Sequence, residues 1–324
     1  MEERKKVLVI LDINKEQKER VIAVAPNYKY NFHKSLSTVT REIVQEANII
    51  IGNPSKDRVR GSEALEFLQL SSAGSESYVK EGILNKDVIL ANATGAYGQG
   101  ISEYMISLVL ALFRNLHIYR DNQSKHLWQD AGNSRLVRES TVLILGPGDI
   151  GGSFAKKMHN LGAKTISVRR TMGTKPEYID EQYTNDSLDS LIPRADVIAL
   201  SLPNTPATTN IINKDRIALM KKSAIVINVG RGNAIEMEAL YEALKTKRIA
   251  GAGLDVFPEE PLPVDSPLWD LDNLIITPHN NGGEPKSTNT KIIELCIKNY
   301  TDYINKGKVA TEVDFKTGYK KSIV

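Results

Sequence analysis

Cysteine is almost missing from this 324-residue chain, with Cys296 the only one. No internal disulfide can form, which points to a reducing compartment rather than secretion. Long apolar runs are missing as well. Stretches such as Ile106-Ser-Leu-Val-Leu-Ala-Leu-Phe113 fall far short of the roughly 20 residues that cross a bilayer. Met1-Glu-Glu-Arg-Lys-Lys6 leads straight into an apolar strand with no signal-peptide core. The expectation is a cytoplasmic protein with no membrane partner. Charge of one sign is scarce: 42 Lys+Arg against 39 Asp+Glu leave a net +3, too small an excess to expect nucleic acid. There is no repeat, no low-complexity tract and no Cys/His/Asp cluster with metal-ligand spacing. What is present is 41% hydrophobic and 25% charged residues, the composition of an ordinary globular protein with length for about two domains.

Short β-branched runs alternate with amphipathic stretches, the pattern of parallel sheets covered by helices. A first series reads as strands at Val7–Leu11, Val21–Val24, Asn48–Ile51, Phe67–Leu70 and Val88–Leu90. A second reads as strands at Thr141–Leu145, Thr165–Val168, Val197–Leu202, Ala224–Asn228, Ala252–Asp255 and Leu274–Thr277. Five or six strands with helical connections make a complete doubly wound sheet. The stretch from Thr288 to Ile304 has helical period, with Ile292, Ile293, Cys296, Ile297 and Tyr300 on one face. It is expected to return to the first domain. The predicted fold is therefore α/β with two doubly wound parallel-sheet domains. One is a Rossmann domain over 100–285, and the other a discontinuous, flavodoxin-like domain over 1–99 plus 286–324.

Gly146-Pro-Gly148-Asp149-Ile150-Gly151 follows an apolar strand and opens a helical stretch from Ile150 to Leu161. In such a turn the first glycine permits the bend, the second lets the backbone approach a pyrophosphate, and the third allows close helix–strand packing. The helix N-terminus adds N–H donors. The motif alone is a weak signal that a glycine-rich αβ turn would also satisfy; the flanking strand and helix strengthen it. The next strand ends in Val168-Arg169-Arg170-Thr171, where an NAD site usually carries a carboxylate for the ribose hydroxyls. Two guanidiniums and a hydroxyl suit a 2′-phosphate instead. NADP is the preferred cofactor expected, with NAD possible; a solvated basic strand end is the plainer reading.

Three polar side chains lie at or just beyond late strand ends: Arg231 in Asn228-Val-Gly-Arg-Gly232, Glu260 in Phe257-Pro-Glu-Glu-Pro261, and His279 in Thr277-Pro-His279. Taken singly, each could be a loop ion pair, a solvated turn residue or a satisfied strand-end histidine. Together they suit carbonyl reduction. Arginine grips a carboxylate bidentately, imidazolium protonates the developing alkoxide, and the carboxylate keeps the imidazole charged and oriented.

With these residues the sequence resembles the D-isomer-specific 2-hydroxyacid dehydrogenase family, glyoxylate/hydroxypyruvate reductases among them. The likeness also runs through Ser72-Ala73-Gly74, Ile101-Ser-Glu103, Ser201-Leu202-Pro203-Asn-Thr205-Pro206, Leu219-Met-Lys-Lys-Ser-Ala224 and Glu312–Tyr319. It implies Arg231, Glu260 and His279 as the catalytic set, with Glu260 chosen over Glu259 because it directly precedes Pro261. Ser72, Ala73 and Gly74, with Arg231 and His279, would bind a small 2-keto or 2-hydroxy acid. The cofactor would meet Gly146, Gly148, Asp149, Ile150, Gly151, Arg169, Arg170, Thr171, Leu202, Pro203, Thr205, Val229, Gly230, Arg231, Asp255 and His279, with Asp255 near the nicotinamide carboxamide. The implied activity is reduction of a 2-keto acid to the D-2-hydroxy acid by an NAD(P)-dependent enzyme. A homodimer is implied through the helix after Glu103, and hinges through Gly95–Gly100 and Gly282–Lys286. Departures are Ser75-Glu76 where many members have Val-Asp, Asn280-Asn281 after the histidine, and Arg169-Arg170 at the acidic ribose position. Alternatives are an NAD-dependent phosphoglycerate or D-lactate dehydrogenase, or a dinucleotide-sensing corepressor-type protein. A formate dehydrogenase would carry Gln at position 260.

Overall fold

The structure, a computed structural model, describes residues 4–280, 286–316, 318 and 321. Asn281, hinge positions 282–285 and Tyr319 of the closing motif lie outside the described residues. Contacts divide the chain into two units, Met1–Tyr97 with Glu284–Val324, and Gly98–Gly283.

The first unit holds β1 (Lys6–Ile10), β2 (Lys29–His33), β3 (Ile49–Gly52), β4 (Phe67–Gln69) and β5 (Ile89–Ala91). They form one parallel sheet in the order β2-β1-β3-β4-β5, the flavodoxin-like order. β3 reads Ile-Ile-Ile-Gly with every residue buried, as a central strand covered on both faces requires. The helix Lys286–Lys306 inserts Ile292, Ile293, Cys296, Ile297 and Tyr300 among Val7, Val9, Ile49 and Phe67. The late chain thus completes the core that the early chain begins.

Val21–Val24 is not a strand. It is the last turn of the helix Lys15–Val24, whose start is fixed by a capping box between Asn14 and Gln17. The cap and the polar run Lys15–Arg20 outweigh the β-branched tail. The strand neighbouring β1 is instead Lys29-Tyr-Asn-Phe-His33, half-exposed along its length. As an edge strand it needs no continuous apolar run.

The second unit holds β6 (Thr141–Leu145), β7 (Lys164–Arg169), β8 (Glu181–Thr184), β9 (Val197–Leu200), β10 (Ile225–Asn228), β11 (Gly251–Leu254) and β12 (Leu274–Ile276). They form a parallel sheet of seven strands in the order β12-β11-β10-β9-β6-β7-β8. This is the Rossmann order with one further strand beyond its sixth. β8 was absent from the sequence expectation because Glu181-Gln-Tyr-Thr184 is polar and only half-buried at the sheet edge. The helix Gly98–Phe113 buries Met105, Leu108, Val109, Leu112 and Phe113 against Val142, Ile144, Ile225 and Ile227. Among the described residues, no single helix is long and apolar enough to cross a membrane. The expected fold class, two doubly wound parallel-sheet α/β domains, is the one observed.

Candidate active site

Because all seven strands of the second unit run parallel, every loop that follows a strand emerges at one edge of the sheet. The order reverses between β6 and β9, the switch point where ligands settle in open α/β sheets. The loops after β10, β11 and β12 carry Arg231, Glu260 and His279. Their parent strands are adjacent, about 5 Å apart per step.

The glycine turn after β6 has the geometry its spacing predicts. Gly146 sits at φ +86°, open to glycine at no cost, and its N–H donates to Val168 O at 3.0 Å. A Cβ on Gly151 would overlap the Gly146 carbonyl oxygen and the Ser201 hydroxyl. Nothing lies within 4 Å of the Cβ position on Gly148. So the turn is packed tightly behind Gly151 and left open in front of Gly148. The helix Asp149–Asn160 begins there, its first-turn N–H groups lacking intrahelical acceptors. A dinucleotide pyrophosphate fits this cradle. The Asp149 carboxylate turns elsewhere and accepts the Gly98 N–H at 2.9 Å, leaving its main chain and that of Ile150 at the turn.

Arg169 ends β7 half-buried, its guanidinium over Gly173, while Arg170 and Thr171 are exposed. Leu202 and Pro203 are half-buried after β9. Thr205 is buried, its hydroxyl 3.0 Å from that of Thr208, which donates to Pro203 O at 2.7 Å. Val229 and Gly230 are buried in the next loop.

Asn228, fully buried at the end of β10, shapes the arginine loop. Its Nδ2 donates to Arg231 O and its Oδ1 accepts the Gly230 N–H, both at 3.0 Å. Arg231 Nη1 donates to Gly230 O at 2.7 Å. A Cβ on Gly232 would overlap the Phe257 carbonyl, so glycine lets the arginine loop lie directly against the Glu260 loop. In that loop Glu260 Oε1 accepts the Phe257 N–H at 2.9 Å, and Oε2 lies 2.7 Å from His279 Nδ1. His279 adopts φ +50°, a left-handed conformation uncommon outside glycine and concentrated at functional positions.

Asp255 follows β11 at 3% exposure and accepts the Thr277 hydroxyl at 2.7 Å. The Tyr104 hydroxyl lies 2.5 Å from Thr277 Oγ1, and burial pushes its pKa up to about 12. Asn228, Gly232, Thr277 and Tyr104 were not singled out by sequence reasoning. Asn228 alone had a local signal, an Asn two residues before a glycine, the pattern of an Asx turn.

In the first unit, the turn after β4 draws its carbonyls inward. The Tyr97 hydroxyl donates to Ser71 O at 2.6 Å, Ala93 N–H to Ser72 O at 2.9 Å, Asn92 Nδ2 to Ala73 O at 2.8 Å and the Ser72 hydroxyl to Gly74 O at 2.9 Å. Among the described residues the Ala73 and Gly74 N–H groups have no acceptor, which leaves two backbone donors at this turn unused.

Residues 106–281 match the model of the D-isomer specific 2-hydroxyacid dehydrogenase, NAD binding domain. Glyoxylate/hydroxypyruvate reductase B of Pectobacterium carotovorum is 32% identical over 234 residues, 70% of this chain and 72% of that protein. A D-isomer specific 2-hydroxyacid dehydrogenase family protein from Aeromonas salmonicida superimposes with a TM-score of 0.83 at 32% identity, covering 97% of this chain and all of that one. A D-isomer specific 2-hydroxyacid dehydrogenase from Xanthobacter autotrophicus, solved with NADPH and MES, gives 0.82 at 25% identity over 98% of this chain and all of that one. Family match, strand order and glycine cradle agree, and the chain belongs to the D-isomer specific 2-hydroxyacid dehydrogenases, NAD(P)-dependent oxidoreductases acting on CH–OH groups.

Proposed function

We propose that the protein is an NADPH-preferring reductase that converts a small 2-keto acid to the D-2-hydroxy acid. The observation that carries this reading is the Glu260–His279 pair, 2.7 Å apart beside the arginine loop. With Nδ1 facing the carboxylate, His279 holds the proton to be delivered on Nε2. Glu260 orients the ring. Arg231 grips the substrate carboxylate; in the first unit, the N–H groups of Ala73 and Gly74 are backbone donors suited to an anion. Gly146, Gly148 and Gly151 would admit the pyrophosphate, Arg169, Arg170 and Thr171 the 2′-phosphate, and Asp255 the nicotinamide carboxamide. When bound in reduced form, the dinucleotide supplies the hydride.

The NADPH present in the Xanthobacter structure and the name of the Pectobacterium relative support the cofactor and the substrate class. A homodimer belongs to the same reading. Leu110, Leu116, Tyr119, Leu127 and Leu136 are 38–54% exposed and Trp128 fully so, a run of apolar surface that a second copy would cover. The sole cysteine, Cys296, is buried and unpaired, in keeping with a cytoplasmic setting. The test is a panel of glyoxylate, hydroxypyruvate, pyruvate and longer branched keto acids, each run with NADPH and NADH. The expected result is turnover of one or more small keto acids with kcat/KM higher for NADPH. Equal efficiency with both coenzymes, or preference for NADH, removes the cofactor assignment. Undiminished turnover by His279→Ala removes the proton donor.

A further inference from the structure

We infer that Tyr104 and Thr277 are positioning residues for the nicotinamide end of the coenzyme site, acting through Asp255. The inference rests on the reading above that Asp255 meets the carboxamide. Hydrogen-bond arithmetic gives the chain its direction. A threonine hydroxyl has one proton, and that of Thr277 is donated to Asp255 Oδ1 at 2.7 Å. Its oxygen is then the acceptor in the 2.5 Å contact with Tyr104, so the phenol donates. The order Tyr104 O–H to Thr277 O–H to Asp255 carboxylate is a charge-terminated chain, in which each bond polarises the next.

Three separate elements meet in it. Tyr104 stands on the helix Gly98–Phe113, Asp255 opens the loop after β11, and Thr277 follows β12. Thr277 is tied twice, because its N–H also donates to Leu254 O at 3.0 Å. With Oδ1 engaged, the Asp255 carboxylate is held in one orientation at a 3% exposed position, as a selective acceptor for an amide N–H must be. Thr277 is also two residues ahead of His279, so the chain anchors the strand end from which His279 turns at φ +50°. The Tyr104 hydroxyl, raised to about 12 by burial, keeps its proton throughout the neutral range and remains a donor.

The test compares the whole coenzyme with a fragment that lacks only the nicotinamide ring. Dissociation constants for NADP+ and for 2′-phospho-ADP-ribose (or NAD+ and ADP-ribose, if that coenzyme binds better) are measured on the full chain and on Tyr104→Phe, Thr277→Val, Thr277→Ser and Asp255→Asn. Loss of one buried hydrogen bond corresponds to roughly a fivefold change. Tyr104→Phe and Thr277→Val should therefore weaken the whole coenzyme by roughly fivefold or more while leaving the fragment within about twofold. Thr277→Ser, which keeps the hydroxyl, should bind like the parent. Equal weakening of coenzyme and fragment in Tyr104→Phe or Thr277→Val means a merely structural role and overturns the inference. It is also overturned if Asp255→Asn loses the preference for whole coenzyme while those two variants keep it. If Asp255→Asn itself binds both as the parent does, the placement of the carboxamide fails, and the inference with it.

Discussion

Glu260 uses both oxygens of its carboxylate, one on the Phe257 main-chain N–H and the other on His279 Nδ1, at 2.9 and 2.7 Å. The histidine is therefore aimed by a side chain that is itself aimed by the backbone. The backbone in turn is pinned where Gly232 of the arginine loop lies against Phe257. Arg231, Glu260 and His279 come from three loops, yet one chain of contacts sets the last two and abuts the first.

Replacing Glu260 by Gln keeps a neutral acceptor for His279 but removes the carboxylate charge beside the ring. In steady-state assays kcat should fall about 10- to 100-fold, with coenzyme affinity unchanged in a fluorescence titration. Glu259→Gln, on an exposed neighbour, should behave as the parent. A Glu260→Gln enzyme with parental kcat would remove Glu260 from the mechanism.

The basic strand end should decide between the two coenzymes. Charge-assisted hydrogen bonds contribute about 1.5–3 kcal/mol each, so Arg169→Ala with Arg170→Ala should raise KM for NADPH at least about tenfold and leave KM for NADH nearly unchanged. If both constants move together, the arginines support the fold rather than the 2′-phosphate.

The two glycines of the turn should fail differently. Gly151→Ala forces a methyl into the Gly146 carbonyl and Ser201 hydroxyl, so Tm should drop by several degrees. Gly148→Ala meets no protein atom within 4 Å, so Tm should hold while coenzyme Kd rises at least about tenfold, since the methyl takes the space of the pyrophosphate. Thermal melts with and without coenzyme separate the two outcomes.

Acid should remove one identifiable contribution to stability. Glu181 on β8 receives hydrogen bonds from Arg194, Lys164 and Tyr183, which hold its pKa at about 2, well below the ordinary 4.5. A carboxylate whose folded pKa is depressed stabilises the fold above its unfolded pKa and loses that contribution as pH falls through the folded value. The parent should thus be more stable than Glu181→Gln by about 1 kcal/mol at pH 7, after allowing for solvent screening at a surface site. The gap should close between about pH 4.5 and pH 2. Denaturant melts at a series of pH values would show it, and a gap that persisted below pH 2 would count against the ion-pair origin.

Much of this protein is legible along the chain. Central strands such as Ile49–Gly52 and Val197–Leu200 are covered on both faces, and that burial demands continuous apolar runs, which a sequence displays. The glycine turn is legible for a related reason: the backbone needs φ > 0 at Gly146 and cannot accept a Cβ at Gly151. The edges are not legible. Lys29–His33 and Glu181–Thr184 satisfy only one neighbouring strand and face solvent, so no apolar pattern marks them. Val21–Val24 has the residues of a strand, but the cap seven residues upstream had already committed it to a helix.

The two sheets, the glycine turn and the polar residues at the strand ends can be read along the chain, because they depend on local spacing and on which positions must be apolar or glycine. Which of them touch depends on the packing of distant elements. Parallel pairing of β10, β11 and β12 brings Arg231, Glu260 and His279, spread over 49 positions of chain, to one sheet edge. The same packing turns Asp149 towards Gly98 and draws Tyr104, Thr277 and Asp255 into one chain of hydrogen bonds. Such contacts depend on how distant elements stack and on the direction each side chain takes, and neither is encoded in the spacing of residues along a single strand.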